Sequence, residues 1–233
     1  MQDQKLTELL PTLAGMPLFR GVAKEELSAV LGCLSARTEE YAEDDIIFRA
    51  GEPIRTCGLV LRGTLHIRHD DYWGNRTIIQ PLSPGDLFGE ALAMSDSAVS
   101  LHDAAAATDC TVLFLDTRKM LTVCPSSCRF HQNIIYNLFG ILSKKNRRLS
   151  TKLGHMAQRT TRGKLLSYLS EQAKEHHSAE FDIPFSRQEL ADYLCVERSA
   201  MSAELGKMRD EGLISFARSH FHLHNGAAEY TQF

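Results

Sequence analysis

Nowhere in the 233 residues do eighteen apolar side chains run together, and the opening Met1–Leu10 stretch has neither a basic start nor a long apolar core. No membrane span and no secretory leader is therefore expected. The six cysteines, at 33, 57, 110, 124, 128 and 195, lack the spacing of a secreted disulfide framework, and no Cys-x-x-Cys pair marks a zinc site. No Ser/His/Asp or Glu/His constellation is placed for chemistry, which argues against an enzyme. An excess of positive charge is missing too: 26 Lys and Arg stand against 29 Asp and Glu, which excludes an evenly basic nucleic-acid coat. What is present is 43% hydrophobic content, enough for one or two domains with real cores in a cytoplasmic protein that does not touch a membrane.

The charge is unevenly distributed. Between Leu142 and Gly226 there are 14 Lys and Arg against 10 Asp and Glu, leaving 12 against 19 elsewhere. That basic excess travels with residues 186–212, whose pattern predicts two short helices meeting at a tight turn. Ser186 caps the first, Glu189 sits three residues on as in a capping box, and Leu190, Tyr193 and Leu194 form its apolar stripe. Cys195-Val196-Glu197 is the turn. The second helix runs from about Arg198 to Glu211, buries Met201, Leu205 and Met208, and stops at Gly212. Its other face carries Arg198, Ser199, Ser202, Ala203 and Lys207. Small and hydrogen-bonding side chains at a helix start suit close approach to base edges, and a lysine behind them suits the phosphate backbone. An ordinary helical hairpin is the plainer alternative. The alternating runs Leu213–Phe216 and His220–Leu223, joined by Ala217-Arg218-Ser219, predict a β-hairpin wing. Its tip residues Arg218 and His220 either approach phosphates or merely close a small core. His220, His222 and His224 share one strand face.

Before residue 120 the chain is punctuated differently. Ile46–Phe48, Gly58–Leu61, Thr64–Ile67, Thr77–Ile79 and Thr111–Leu115 are short β-type runs separated by Gly51, Gly63, Gly74-Asn75 and Pro84-Gly85, the spacing of a small β-roll. Pro17-Leu18-Phe19 and the 25–34 stretch form a helical cap ahead of it. After Pro125 a long helix is expected, with His131, Ile135, Leu138, Leu142 and Leu149 as a seam for a partner helix or for the chain's own roll.

Pro17-Leu18-Phe19 before an acidic helix, Arg62-Gly63 between strands, the run Pro84-Gly85-Asp86-Leu87-Phe88-Gly89-Glu90, and Arg187-Gln188-Glu189-Leu190-Ala191 together resemble the catabolite-activator/fumarate-nitrate-regulator (CRP/FNR) family of bacterial transcription factors. The resemblance covers nearly the whole chain. It implies an α+β protein: an effector-sensing, cyclic-nucleotide-binding-like roll with its cap (1–120), a dimerisation helix and hinge (121–156, the hinge near Met156–Arg159), and a winged helix-turn-helix (157–233). It also implies a homodimer on double-stranded DNA with a near-palindromic operator, and contact with RNA polymerase if the output is activation. Arg187 matches the family arginine that grips a phosphate. The recognition helix lacks the family's Glu/Arg reading set, with Ala203 or Glu204 in place of its terminal arginine, so a different operator is expected.

The effector pocket falls on Gly89, Glu90, Ala91, Ser100 and Leu101. In cyclic-AMP-binding members an Arg-Ser pair holds the phosphate; here Ser100 and Leu101 stand in those places, and Leu149 replaces a threonine that meets the purine. Cyclic AMP is therefore not expected, and the effector is left open. An iron–sulfur cluster is disfavoured because the first cysteine is Cys33. Cys124, Cys128 and His131 at i, i+4 and i+7 offer a soft-metal, haem or redox face, against the plainer reading as buried helix residues. A nucleotide-responsive regulatory subunit that touches no DNA is the remaining alternative.

Overall fold

A computed structural model describes residues 2–93, 99–121 and 129–224. The chain divides into two compact units, Met1–Tyr72 with Ile79–Asn146 and Trp73–Ile78 with Arg147–Phe233. In the first, helices α1 (Gln2–Ala14) and α2 (Lys24–Cys33) flank a 3₁₀ turn at Pro17–Phe19. Eight strands follow: β1 (Arg37–Tyr41), β2 (Ile46–Phe48), β3 (Thr56–Arg62), β4 (Leu65–Asp70), β5 (Arg76–Leu82), β6 (Leu87–Phe88), β7 (Asp103–Ala106) and β8 (Cys110–Asp116). They form two four-stranded sheets, ordered β1-β8-β3-β6 and β2-β7-β4-β5. The expected roll is present.

Strands β3 and β8 show why their sequences are apolar throughout rather than alternating. Leu59, Leu61, Leu113 and Leu115 point to a cluster shared with the helical cap, whereas Val60, Val112 and Phe114 point between the sheets to Leu65, Leu82 and Phe88. Successive side chains of a strand face opposite ways, so a strand covered on both faces needs apolar residues at every position. The Arg62-Gly63 turn is equally constrained: Gly63 has φ +81° and a Cβ there would lie 2.3 Å from the Asp109 carbonyl oxygen.

Two short helices, α3 (Glu90–Ala93) and α4 (Thr117–Leu121), precede α5 (Arg129–Met156). The start of α5 packs Phe130, Ile134 and Leu138 into the cap cluster. Its amides fix the Pro17-Leu18-Phe19 turn: Asn137 Nδ2 donates to the Leu18 and Arg20 carbonyls at 2.9 and 2.8 Å, and Asn133 Nδ2 to that of Gly21 at 2.8 Å. This corrects the expected seam. His131 and Leu138 are buried in their own unit, and Leu142 is half-buried against the cap cluster. The large apolar side chains left exposed on α5 are Tyr136, Phe139, Leu149 and Leu153. The helix carries two apolar faces, and periodicity alone assigned His131 and Leu138 to the wrong one.

The second unit contains α6 (Thr161–His176), β9 (Glu180–Asp182), α7 (Arg187–Leu194), α8 (Arg198–Asp210), β10 (Ile214–Ala217) and β11 (His220–Leu223), with the strands ordered β10-β11-β9. Leu165, Leu169, Leu190, Leu194, Met201, Leu205, Met208, Ile214 and Phe221 form its core. Within this unit Lys152 of α5 is only 8% exposed, donates to the Ile78 carbonyl and lies 4.3 Å over the Tyr193 ring. Burial pushes its pKa down to about 8 from 10.5, opposed weakly by Cys195. Because the folded value is the lower one, between pH 8 and 10.5 the unfolded chain holds the extra proton and stability rises with pH. Burial of Cys57 and Cys110 pushes their thiols up to about 11, which works in the opposite direction. The difference between wild type and Lys152→Met isolates the amine. In urea unfolding, wild type is expected to gain about 2–3 kcal/mol on the variant between pH 7.5 and 10.5.

Candidate functional site

The helix-turn-helix is built by local hydrogen bonds. Ser186 Oγ accepts from the Glu189 amide at 3.3 Å while Glu189 Oε2 accepts from the Ser186 amide at 2.7 Å. Helix α7 ends at Cys195, in the left-handed region at φ +49°, and the Val196 amide closes the turn on the Ala191 carbonyl at 3.0 Å. Glu197 caps α8 by accepting from the Ala200 amide at 2.8 Å and from the Ser199 hydroxyl. Those bonds, the Ser199 one first, hold the Glu197 carboxyl below its ordinary range.

Arg198, Ser199, Ser202, Ala203 and Lys207 lie exposed on one side of α8, opposite buried Met201, Leu205 and Met208. Ser199 differs from its sequence reading, because its hydroxyl is committed to the cap. Glu204 is turned away by a clamp that the sequence reading missed. Arg162 of α6 donates Nε to Glu204 Oε1 at 2.5 Å and both terminal nitrogens to the Glu211 carboxylate at 2.7 and 2.8 Å. Two acids seven residues apart on one helix face were the available signal. Lys207 Nζ lies 3.7 Å from the other Glu204 oxygen, so the clamp also draws on the charge of the exposed lysine.

Arg187, at the start of α7, stands with its guanidinium 4.8 Å from the Phe216 ring centroid and 4.9 Å from that of Phe221. Arg209 approaches Phe216 as well, at 6.0 Å. Each helix of the pair is thus fastened to the wing by a cation on an aromatic face, the first through Arg187 and the second through Arg209. At the wing tip Arg218 is exposed with φ +52°. His220, a tip candidate in the sequence, instead bonds Glu180 Oε1 at 2.9 Å and Asp182 Oδ1 at 3.2 Å on β9. These two carboxylates, Glu180 first, raise its pKa above the usual 6.5. The pairing contributes most below pH 6.5 and is lost as pH rises through the folded value. An NMR titration is expected to find His220 above 6.5 in wild type and back near it in Glu180→Gln/Asp182→Asn. His222 and His224 face each other, ring centroids 4.5 Å apart. No cluster of three metal-binding side chains occurs among the described residues, and Cys124 and Cys128 lie outside them.

In the roll, Gly89, Glu90, Ala91, Ser100 and Leu101 line one cavity of about 230 Å³, together with Gln80, His102 and Lys145 among others. Gly89 has φ +76°, and a Cβ there would meet Phe48 at 2.9 Å. Glu90 is 3% exposed and pairs through Oε1 with Lys145 Nζ of α5 at 2.5 Å, a partner with no local sequence signal. The Ser100 hydroxyl donates to the His102 carbonyl at 2.5 Å.

The Crp-like helix-turn-helix domain family matches residues 163–228, and the cyclic nucleotide-binding domain family matches residues 38–127. The chain is 25% identical over 202 residues to the cyclic AMP receptor protein of Thermus thermophilus, spanning 87% of this chain and 89% of that protein. Among solved structures it is similar in fold to the c-di-GMP responsive global regulator CLP of Xanthomonas campestris, with TM-score 0.70 and 19% identity over 87% of this chain and 100% of that one. FixK2 of Bradyrhizobium japonicum gives TM-score 0.64 and 18% identity over 84% and 95%. No described helix is long and apolar enough to cross a membrane.

Proposed function

We propose that the chain is a DNA-binding transcriptional regulator of the CRP/FNR family, working as a homodimer whose roll (1–120) senses a small effector, whose helix (121–156) joins the protomers, and whose winged domain (157–233) reads DNA. One observation carries the dimer: exposed Phe139, Leu149 and Leu153 share a stripe of α5 with half-buried Ile135 and Leu142. Ile135, Phe139, Leu142, Asn146, Leu149 and Leu153 follow at steps of four, three, four, three and four, and Phe139 and Leu153 are 66% and 69% exposed in the single chain. That is the spacing of a two-helix seam, and a single polar residue such as Asn146 fixes its register. The sequence seam is revised accordingly: Ile135, Leu142 and Leu149 stay, and His131 and Leu138 leave it.

Paired in this way, two α8 helices reach successive major grooves about 34 Å apart, on an operator of near-palindromic form. Arg198 and Ser202 read bases, Ala203 allows close approach, and Lys207 and Arg218 meet phosphates. Arg187 serves the wing as well as the backbone. The effector alters the dimer by favouring one of two arrangements of α5, and contact with RNA polymerase follows if the output is activation. Cyclic AMP does not suit the roll, because the Ser100 hydroxyl is committed to its own loop and Lys145 already holds Glu90. Gel-shift titration on operator and random DNA tests the assignments. Arg198→Ala and Ser202→Ala are expected to cost about 1–3 kcal/mol on operator DNA alone, and Lys207→Ala to weaken both equally. Equal losses on both DNAs for all three variants contradict the reading.

A further inference from the structure

On the reading of the roll as the sensing module, we infer that its cavity takes a neutral, largely apolar small molecule bearing a hydroxyl or amide N–H for Glu90, in preference to an anion or a cation. The walls contributed by Phe48, Ile54, Ile67, Phe88 and Ala104 are apolar. Glu90 and Lys145 form an ion pair at 2.5 Å, so together they contribute no net charge. Burial, followed by nearby His69, holds His102 below the ordinary imidazole range, so at neutral pH it adds no cation. Ser100 is closed on itself: its oxygen donates to the His102 carbonyl and accepts from the His102 amide at 3.3 Å.

Against this balanced background, specific polar atoms are left over. Glu90 Oε2 and Gln80 Nε2, on side chains more than nine-tenths buried, have no hydrogen-bond partner among the described residues, nor has His102 Nδ1. A buried carboxylate oxygen without a donor and a buried amide nitrogen without an acceptor are each costly, and a ligand that offers both removes the cost. An anion competes with Glu90 for Lys145 and strands a buried carboxylate, while a cation strands Lys145. A neutral ligand leaves the pair intact. Its bond to Glu90 acts one side chain away from α5 through Lys145, which gives the cavity a route to the dimer helix.

The test is a ligand-observed NMR titration of the full-length protein with four probes on one ring: benzyl alcohol, benzyl methyl ether, benzoate and benzylamine. Benzyl alcohol is expected to bind, the ether to bind about three- to tenfold more weakly for want of a donor, and the two ions about a hundredfold more weakly. Gln80→Leu is expected to weaken benzyl alcohol about threefold or more. Glu90→Gln leaves Lys145 without its counter-charge and is expected to reverse the order, benzoate then binding more tightly than the alcohol. Benzoate or benzylamine binding wild type as tightly as benzyl alcohol, alcohol and ether binding alike, or no binding of the alcohol overturns the inference. Gel shifts on the same preparations without probe report on the DNA-binding reading alone, so the two fail separately.

Discussion

Replacing Phe139 and Leu153 together by glutamate is expected to leave the protein monomeric and to weaken operator binding by a hundredfold or more. Both side chains project into solvent from the single chain, so the substitution removes nothing from the core of either unit. In the proposed dimer each buries against its counterpart, worth about 1.5–3 kcal/mol per side chain, and the variant brings four carboxylates into one seam. Affinity falls because a dimer holds two half-sites at once, and that linkage is lost when the seam opens. Light scattering gives the mass, gel shifts give the affinity, and an unchanged melting temperature of the roll separates loss of assembly from misfolding. A dimer of wild-type affinity would show that α5 is not the joining element.

Phe221→Ala carries the largest expected cost in stability, about 3–5 kcal/mol. Phe221 is fully buried, pairs and stacks with Phe181 of β9, lies tilted against Phe216, and sits under Arg187. Its removal opens the core of the second unit and takes one of two aromatic supports from the first helix of the DNA-reading pair. Arg187→Ala removes only the cation and is expected to cost about 1–2 kcal/mol. Urea unfolding followed at a probe in the second unit measures both. A loss below about 1 kcal/mol for Phe221→Ala would show that the wing is not part of that core.

How much of this was legible in the sequence depends on how local the determining contacts are. The helix-turn-helix was readable to within a residue, because a capping box and a stripe of Leu190, Leu194, Met201, Leu205 and Met208 are set within one or two turns. In the wing the first strand lies one residue further on than its alternating run, and the second coincides with His220–Leu223. Strands β1, β6, β7 and β9 were not seen. Strand β7 is Asp-Ala-Ala-Ala and β1 is Arg-Thr-Glu-Glu-Tyr, both weak strand formers recruited by long-range pairing with β4 and β8. Glu90 with Lys145 joins residues tens of positions apart, where neither spacing nor propensity gives a signal, and for the Arg162 clamp the spacing of Glu204 and Glu211 marks an acidic helix face without naming the distant arginine that meets it. On α5 the sequence showed an apolar periodicity but could not say which face the chain keeps for itself.

The central claim, a homodimer that reads DNA with paired α8 helices, is tested most directly by selecting bound sequences from random double-stranded DNA with the full-length protein. The prediction is a near-palindrome whose half-sites are centred about 10 base pairs apart or at a multiple of that spacing, distinct in sequence when Arg198 or Ser202 is replaced. A lone asymmetric site, or retention with no sequence preference at all, contradicts it.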